Sequence, residues 1–263
     1  MSGAVRREPV ALRTVALLAA AFFLLPLLGL LWRLPWAELG AHFANPGLQA
    51  ALGLSLQSSL LAALACLLLG LPLAAWLAGG TSRLRTAVRV LVTLPMVLPP
   101  VVGGVALLLA YGRRGLVGGP LDTWFGVSLP FTTTAVVLAS SYVAMPFFVL
   151  TVEGGLRSFD RRYAEAAASL GAGPWRVFCT VTLPMISPSL RAGLLVAWAR
   201  ALGEFGATIT FAGNLAGTTR TLPLAVYVAL ETDPEAAIVL SMVLVAVSAG
   251  VLFALRRQWF PRR

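Results

Sequence analysis

An all-α, polytopic membrane bundle of about six transmembrane helices is the fold class this sequence predicts, and three observations predict it. Hydrophobic residues make up 59% of the 263 residues and charged residues only 11%, against about 25% charged in soluble proteins. The mean hydropathy is +0.87. The apolar residues are gathered into runs of about 20, the length a helix needs to cross the hydrocarbon core. Together these exclude a disordered chain, a disulfide scaffold and an ordinary water-soluble enzyme.

The runs follow in order along the chain. The first, about Thr14 to Trp32, stands behind Arg6, Arg7 and Arg13. It is longer than the apolar part of a secretory signal. The residues after it, Arg33-Leu34-Pro35-Trp36, offer no small-residue cleavage site, so a retained span is expected. The second, about Leu48 to Ala78, is long enough to include a tilted or interfacial part. The third runs from about Val88 to Tyr111 and the fourth from about Phe131 to Val152. The fifth runs from about Ser187 to Ile209 and the sixth from about Ala236 to Leu255.

Charge orients the bundle. All 20 basic residues are Arg, and with 10 acids the net charge is +10. A basic balance can signal nucleic-acid binding. Here the arginines sit in short clusters between apolar runs, which is the positive-inside pattern instead. With the N-terminus inside, one side holds Arg6, Arg7, Arg13, Arg83, Arg85, Arg89, Arg157, Arg161, Arg162, Arg176, Arg256, Arg257, Arg262 and Arg263. The other holds Arg33, Arg113, Arg114 and Arg220, so fourteen face four and both termini are expected in the cytoplasm. Arg191 and Arg200 fall within the fifth run.

Little in the chain suits covalent or metal chemistry. Cys66 and Cys179 form no CxxC and are expected reduced. The single histidine, His42, leaves no His-rich zinc site and no HExxH, so no metal ligand is expected.

Proline marks the third run most heavily, as Leu94-Pro95-Met96-Val97-Leu98-Pro99-Pro100 followed by Gly103-Gly104. Each proline removes an amide donor and kinks a helix. In lipid the freed carbonyls must be met by protein or a wet path. Pro99 and Pro100 are therefore candidates for a translocation route, with a packing kink as the alternative. Pro72 and Pro146 are expected as single kinks.

The segment from Glu153 to Thr182 is longer than a connector requires and reads as a short surface helix over Arg161-Arg162-Tyr163-Ala164-Glu165-Ala166-Ala167-Ala168-Ser169-Leu170. Alanine favours it, and Gly171 with Gly173-Pro174 ends it. Leu183-Pro184 then opens the next element. Such a helix at the cytoplasmic face is a docking feature, since its small residues allow close approach.

Here the residues carry a resemblance. Glu165-Ala166-Ala167, three residues, Gly171, nine residues, then Val181-Thr182-Leu183-Pro184 resembles the EAA motif of ABC-importer permeases, E-A-A-x3-G-x9-I-x-L-P, with Val181 for Ile. Leu94 to Gly104, Arg200 to Phe211 and Thr218 to Tyr227 are similar to molybdate permeases of that class, with sulfate and tungstate permeases as near relatives. The resemblance implies a type I permease domain over 48–255, preceded by a span and outer loop in 1–47 and followed by a basic tail in 256–263. It implies that Glu165, Ala166, Ala167, Gly171, Leu183 and Pro184 couple the bundle to a separate ATPase. It implies two permease copies, two ATP-binding subunits, an extracytoplasmic oxyanion-binding protein and a bacterial plasma (inner) membrane setting. ATP and Mg²⁺ belong to the partner, because the chain has no G-x4-G-K-[ST] loop.

The fifth run carries the remaining candidates. Arg200 and Glu204 are four apart, on one helical face. Buried charges usually pair or face a cavity, so they stand either beside the path or in a structural pair. Their order is unfavourable for an isolated pair, and partners from other helices are expected. A tetrahedral dianion prefers hydroxyl, amide and guanidinium donors, which Thr208, Thr210, Thr218, Thr219, Arg220 and Thr221 supply. A solvated outer loop is the alternative. Gly203, Gly206 and Gly213 point to close contacts or bends. Glu231, Asp233 and Glu235 form an acidic outer patch, and Arg256, Arg257, Arg262 and Arg263 anchor the end at the anionic inner surface.

Two other classes fit the sequence less well. An intramembrane enzyme needs convergent catalytic groups, and His42 lies in an outer loop with no DDxxD cluster elsewhere, so no catalytic residue is expected. An ion-coupled transporter has no use for the surface helix and its break.

Overall fold

The computed structural model describes residues 9–259. Arg6, Arg7, Arg262 and Arg263 lie outside the described residues, as do the side chains of Arg256 and Arg257. Among the described residues every regular element is helical.

Helix α1 (Val10–Arg33) is apolar on all sides, and the rest of the chain buries none of it. A helix with no polar face takes lipid as its solvent. Among the described residues it packs chiefly at the edge of the bundle, against the last helix. The short α2 (Leu39–Ala44) leads to α3 (Pro46–Ala78), 33 residues long. Asn45 caps α3 by accepting the Gly47 amide at 2.8 Å, and Pro46 takes the first turn, where a missing N–H costs nothing.

Two π-helical turns share one cause. Cys66–Gly70 lies within α3 and Phe178–Thr182 within α9 (Pro174–Met185). Each ends just before a proline, Pro72 or Pro184. The ring clashes with the carbonyl four residues back, and the turn widens instead of breaking.

The third run divides into α4 (Arg83–Val97) and α5 (Pro100–Tyr111), where a kinked single span is expected. Leu98 and Pro99 both leave the helical region, with ψ of 138° and 132°. Each precedes a proline, whose ring disfavours the α conformation at the residue before it. Two such residues in succession make a break.

Helix α6 (Gly118–Phe125) leads to the central α7 (Thr133–Ser158), where Thr132 caps the first turn by accepting the Ala135 amide. Helix α7 runs on past Val152, so Glu153 is helical and buried, not part of a loop. The expected surface helix is α8 (Arg162–Ser169). Helix α9 follows and bends by 73° into α10 (Ser187–Leu202). The fifth run stops there. Gly203–Phe205 interrupt it, and Gly206–Phe211 form a separate short helix, α11.

Helix α12 (Leu222–Thr232) occupies residues read as outer loop. It starts partway along α3, where the Leu222 amide donates to Ser55 Oγ at 2.6 Å. It ends where Thr232 and Asp233 share a cavity with Asn45 and Gly47, at the start of α3. It thus runs back along the first half of α3. Helix α13 (Pro234–Trp259) completes the bundle and continues through Arg256 and Arg257. Helices α1, α3, α7 and α13 are each long and apolar enough to cross a membrane, and the bent pair α9–α10 makes a fifth. The remaining run is shared between α4 and α5.

Helix α7 packs against α3, α10 and α11. Lipid tails are as apolar as side chains, so close packing and hydrogen bonds hold such a bundle rather than expulsion of water. Phe148, fully buried, sits between Gly70 of α3 and Gly193 of α10.

Candidate functional site

The motif residues occupy one end of the bundle. In α8 the Gly171 amide donates to the Ala168 carbonyl (2.9 Å) and the Ala172 amide to the Ala167 carbonyl (3.1 Å). Gly171 has φ +84°. These features make a Schellman stop, whose left-handed position favours glycine. A Cβ on Gly171 would meet nothing within 4 Å, so the turn and the outer face, not internal crowding, set the requirement there. Glu165 faces a groove whose walls include Ala75, Ala78 and Gly79 from the end of α3 and Leu156 from α7. Ala166 and Gly171 are exposed and Ala167 half-buried. Leu170 is 90% exposed and Trp175 76%, a large apolar display on a polar end of the molecule. Leu183 packs against the central core while Pro184 is exposed, so the motif runs from a free surface to an anchored one.

Directly beside that groove lies an ionic cluster that sequence spacing only half reveals. Glu153 of α7 is 5% exposed. Its Oε1 accepts from Arg89 Nη2 at 2.6 Å, Arg89 Nε at 3.0 Å and Arg157 Nε at 2.9 Å. Arg89 Nη2 and Arg157 Nη2 also donate to the Leu77 carbonyl, at 3.3 and 3.4 Å. Leu77 stands in the last turn of α3, where carbonyls lack helical partners. Two guanidinium groups therefore cap one helix end, and one buried carboxylate pairs with both. Glu153 and Arg157 are four apart and legible as a pair; Arg89, on α4, is not near them in sequence.

The candidate pathway residues gather around α5 and α11. Glu204 is buried, and its Oε1 accepts from the Ala207 amide at 2.8 Å, capping α11. Its Oε2 stands 2.7 Å from Arg200 Nη1, close but misaligned, so the contact is an ion pair rather than a hydrogen bond. The expected partner from another helix is thus the backbone of the next one, and Arg200 and Glu204 satisfy each other despite their order. Pro99 and Pro100 are both exposed at the break, and Pro100 also lies against Gly206. Gly104 lies so near α11 that a Cβ would fall 2.6 Å from Thr210 Cβ and 2.9 Å from the Ala207 carbonyl. Thr210 Oγ1 donates to the Gly206 carbonyl at 2.8 Å. Thr208 is fully buried and its Oγ1 has no hydrogen-bond partner.

Arg220 belongs elsewhere. Its Nε donates to Asn214 Oδ1 at 2.8 Å, and it lines the cavity at the start of α3 with His42 and Asp233. Thr219 is buried and accepts the Leu215 amide, Thr218 is exposed, and Thr221 is buried with an unpartnered Oγ1. Thr219 and Thr221 thus fold into the chain, while Thr218 stays on an exposed loop. Glu231, Asp233 and Glu235 are exposed. Glu38, His42 and Glu235 each bring one ligand atom within 4.8 Å of the others. Sequence reasoning also misses Ser59, which accepts from Trp198 Nε1 at 2.9 Å, and Phe131, which has φ 63° and lays its ring over Gly213.

Residues 68–263 match the family described as binding-protein-dependent transport system inner membrane component. The molybdenum transport system permease protein ModB of Mycobacterium tuberculosis is 46% identical over 237 residues, covering 90% of this chain and 89% of that one. The sulfate transport system permease protein CysT of Escherichia coli is 35% identical over 250 residues, covering 94% and 90%. Among solved structures, a bacterial ABC transporter involved in alginate import has a chain that aligns with a TM-score of 0.73 at 18% identity, covering 96% of each. That likeness establishes the helical fold.

Proposed function

The chain belongs to the family of binding-protein-dependent transport system inner membrane components, and from that membership we propose that it is the membrane-spanning permease of an ATP-driven molybdate importer. The observation that carries the reading is α8: an exposed helix bearing Glu165, Ala166 and Ala167, stopped by Gly171 at φ +84° and rooted through Leu183 in the core. A lever so built transmits a push without unwinding.

In this reading the α8 end faces the cytoplasm, as do both termini, in a bacterial inner membrane. Two copies of the chain pair with two ATP-hydrolysing subunits and one extracytoplasmic oxyanion-binding protein. The single EAA segment per chain supports the pairing. ATP and Mg²⁺ sit on the partner, and the permease itself catalyses no reaction and holds no cofactor. Closure of the ATPase pair moves α8, and the spans switch between inward and outward openings. The anion then passes the α5–α11 region, where Arg200 and the Thr208 hydroxyl supply donors. Donors this few hold an ion weakly enough to release it.

The test is uptake of labelled molybdate into vesicles carrying the complete complex, with tungstate and sulfate as competitors. Uptake that requires ATP and resists equimolar sulfate supports the proposal. Strong competition by sulfate moves the substrate to sulfate, a second reading favoured by the likeness to CysT. Uptake that proceeds equally without nucleotide refutes the ATP-driven mechanism.

A further inference from the structure

We infer that Arg89, Glu153 and Arg157 form a rigid joint that carries movement of α8 to the α4–α5 arm, and that they are positioning residues for coupling. The inference rests on reading α8 as the helix that docks the ATPase.

Three observations place the joint. It adjoins the seat of α8: Leu77 lies between the groove residues Ala75 and Ala78, and Arg157 follows the groove residue Leu156. A force applied to α8 therefore bears on the walls that the joint holds together. It also adds a directional hold on α4 to the apolar packing of Val88 and Val92 against the central core. None of the residues of α4 is buried, yet Arg89 reaches from it to both the α7 carboxylate and the α3 carbonyl. The planar fork of arginine makes such a double contact directional. Finally, α4 leads through the Leu98–Pro99 break into α5, and α5 lies against α11 at Gly104. The chain of contacts runs from α8 through the joint, along α4, across the break and onto the helix that Glu204 caps. Stiff elements joined at discrete contacts are what two-state switching requires.

A buried carboxylate between two guanidiniums is a poor way to gain stability alone, since hydrophobic replacements often do as well. Its directional geometry is what a joint uses. Glu153→Gln keeps the shape and removes the charge, leaving two cations around the Leu77 carbonyl with no counter-ion.

The experiment measures molybdate uptake and ATP hydrolysis together, in liposomes carrying permease, ATPase and binding protein. In Glu153→Gln the uptake per ATP is expected to fall about tenfold, within the span of a single coupling interaction, while hydrolysis stays within about twofold. A merely structural role lowers both in parallel and leaves the ratio unchanged, which overturns the inference. Arg89→Lys keeps the charge but cannot hold the carboxylate and the carbonyl together; it decides by the same ratio if Glu153→Gln does not assemble. Arg83→Gln, on the same helix and outside the joint, is expected to leave the ratio unchanged, and an equal loss there also overturns it. Absence of ATP-dependent uptake in the unaltered complex removes the importer reading and the joint with it. A working unaltered complex with normally coupled variants removes the joint alone.

Discussion

Thr208 keeps a hydroxyl in a fully buried place with no hydrogen-bond partner, and such a group is expensive. An unsatisfied buried donor costs about 1–3 kcal/mol, and valine fills the same space without it. Thr208→Val is therefore expected to raise the thermal stability of the purified chain. If the hydroxyl serves the passing anion, the same change lowers vesicle uptake. Unfolding followed in detergent and uptake measured in parallel separate the two, and a variant both stabler and fully active removes Thr208 from the path. Gly171 allows a similar separation. Asn and Asp have like shapes and both tolerate left-handed backbone, and a Cβ there meets nothing within 4 Å. Strain alone thus predicts equal effects from Gly171→Asn and Gly171→Asp. Docking on a partner surface predicts lower uptake for Gly171→Asp, with normal amounts of either variant in the membrane fraction. Uptake undisturbed by Gly171→Asp counts against the coupling role.

In the proposed pathway α5 approaches α11 closely, and Gly104 makes it possible. Gly104→Leu puts side-chain carbon against Thr210 Cβ and the Ala207 backbone. Overpacking of this kind costs about 1–3 kcal/mol, enough to part the two helices and to lower uptake several-fold. Gly29→Leu, where nothing lies within 4 Å of the added carbon, is the matched control and is expected to be silent. Equal uptake in both variants means that transport does not depend on the close α5–α11 contact. How readily each element can be read from sequence follows the length scale of its cause. Helix α8 and its stop are legible because alanine propensity and the Gly171 turn act within one stretch. The break at Leu98–Pro99 has its physical mark in the Pro99-Pro100 pair, although a kink is the weaker reading of it. The break before α11 is marked in sequence by Gly203 and Gly206, but these also allow a close contact; what fixes it is Glu204 accepting the Ala207 amide, a contact that hydropathy conceals. Helix α12, 11 residues long, is too short for the span criterion and reads as loop.

Across the whole molecule the same contrast separates topology from site. Span order and the arginine bias need only local composition, whereas the joint at Glu153 requires Arg89, 64 residues away, to arrive on a neighbouring helix. Orientation follows from charge, and the chain carries its own reporter for it. Cys179 is exposed, just before Leu183 on the α8 side, and Cys66 is buried in the core of the bundle. A membrane-impermeant maleimide therefore labels Cys179 and spares Cys66. With fourteen arginines assigned to one side against four, that label is expected in inside-out vesicles stripped of partner subunits, and not in sealed right-side-out vesicles. Cys66→Ser keeps the signal and Cys179→Ser abolishes it, which assigns the reactive thiol. Labelling confined to right-side-out vesicles inverts the bundle, places α8 beyond the reach of any cytoplasmic ATPase, and ends the coupling mechanism in one measurement.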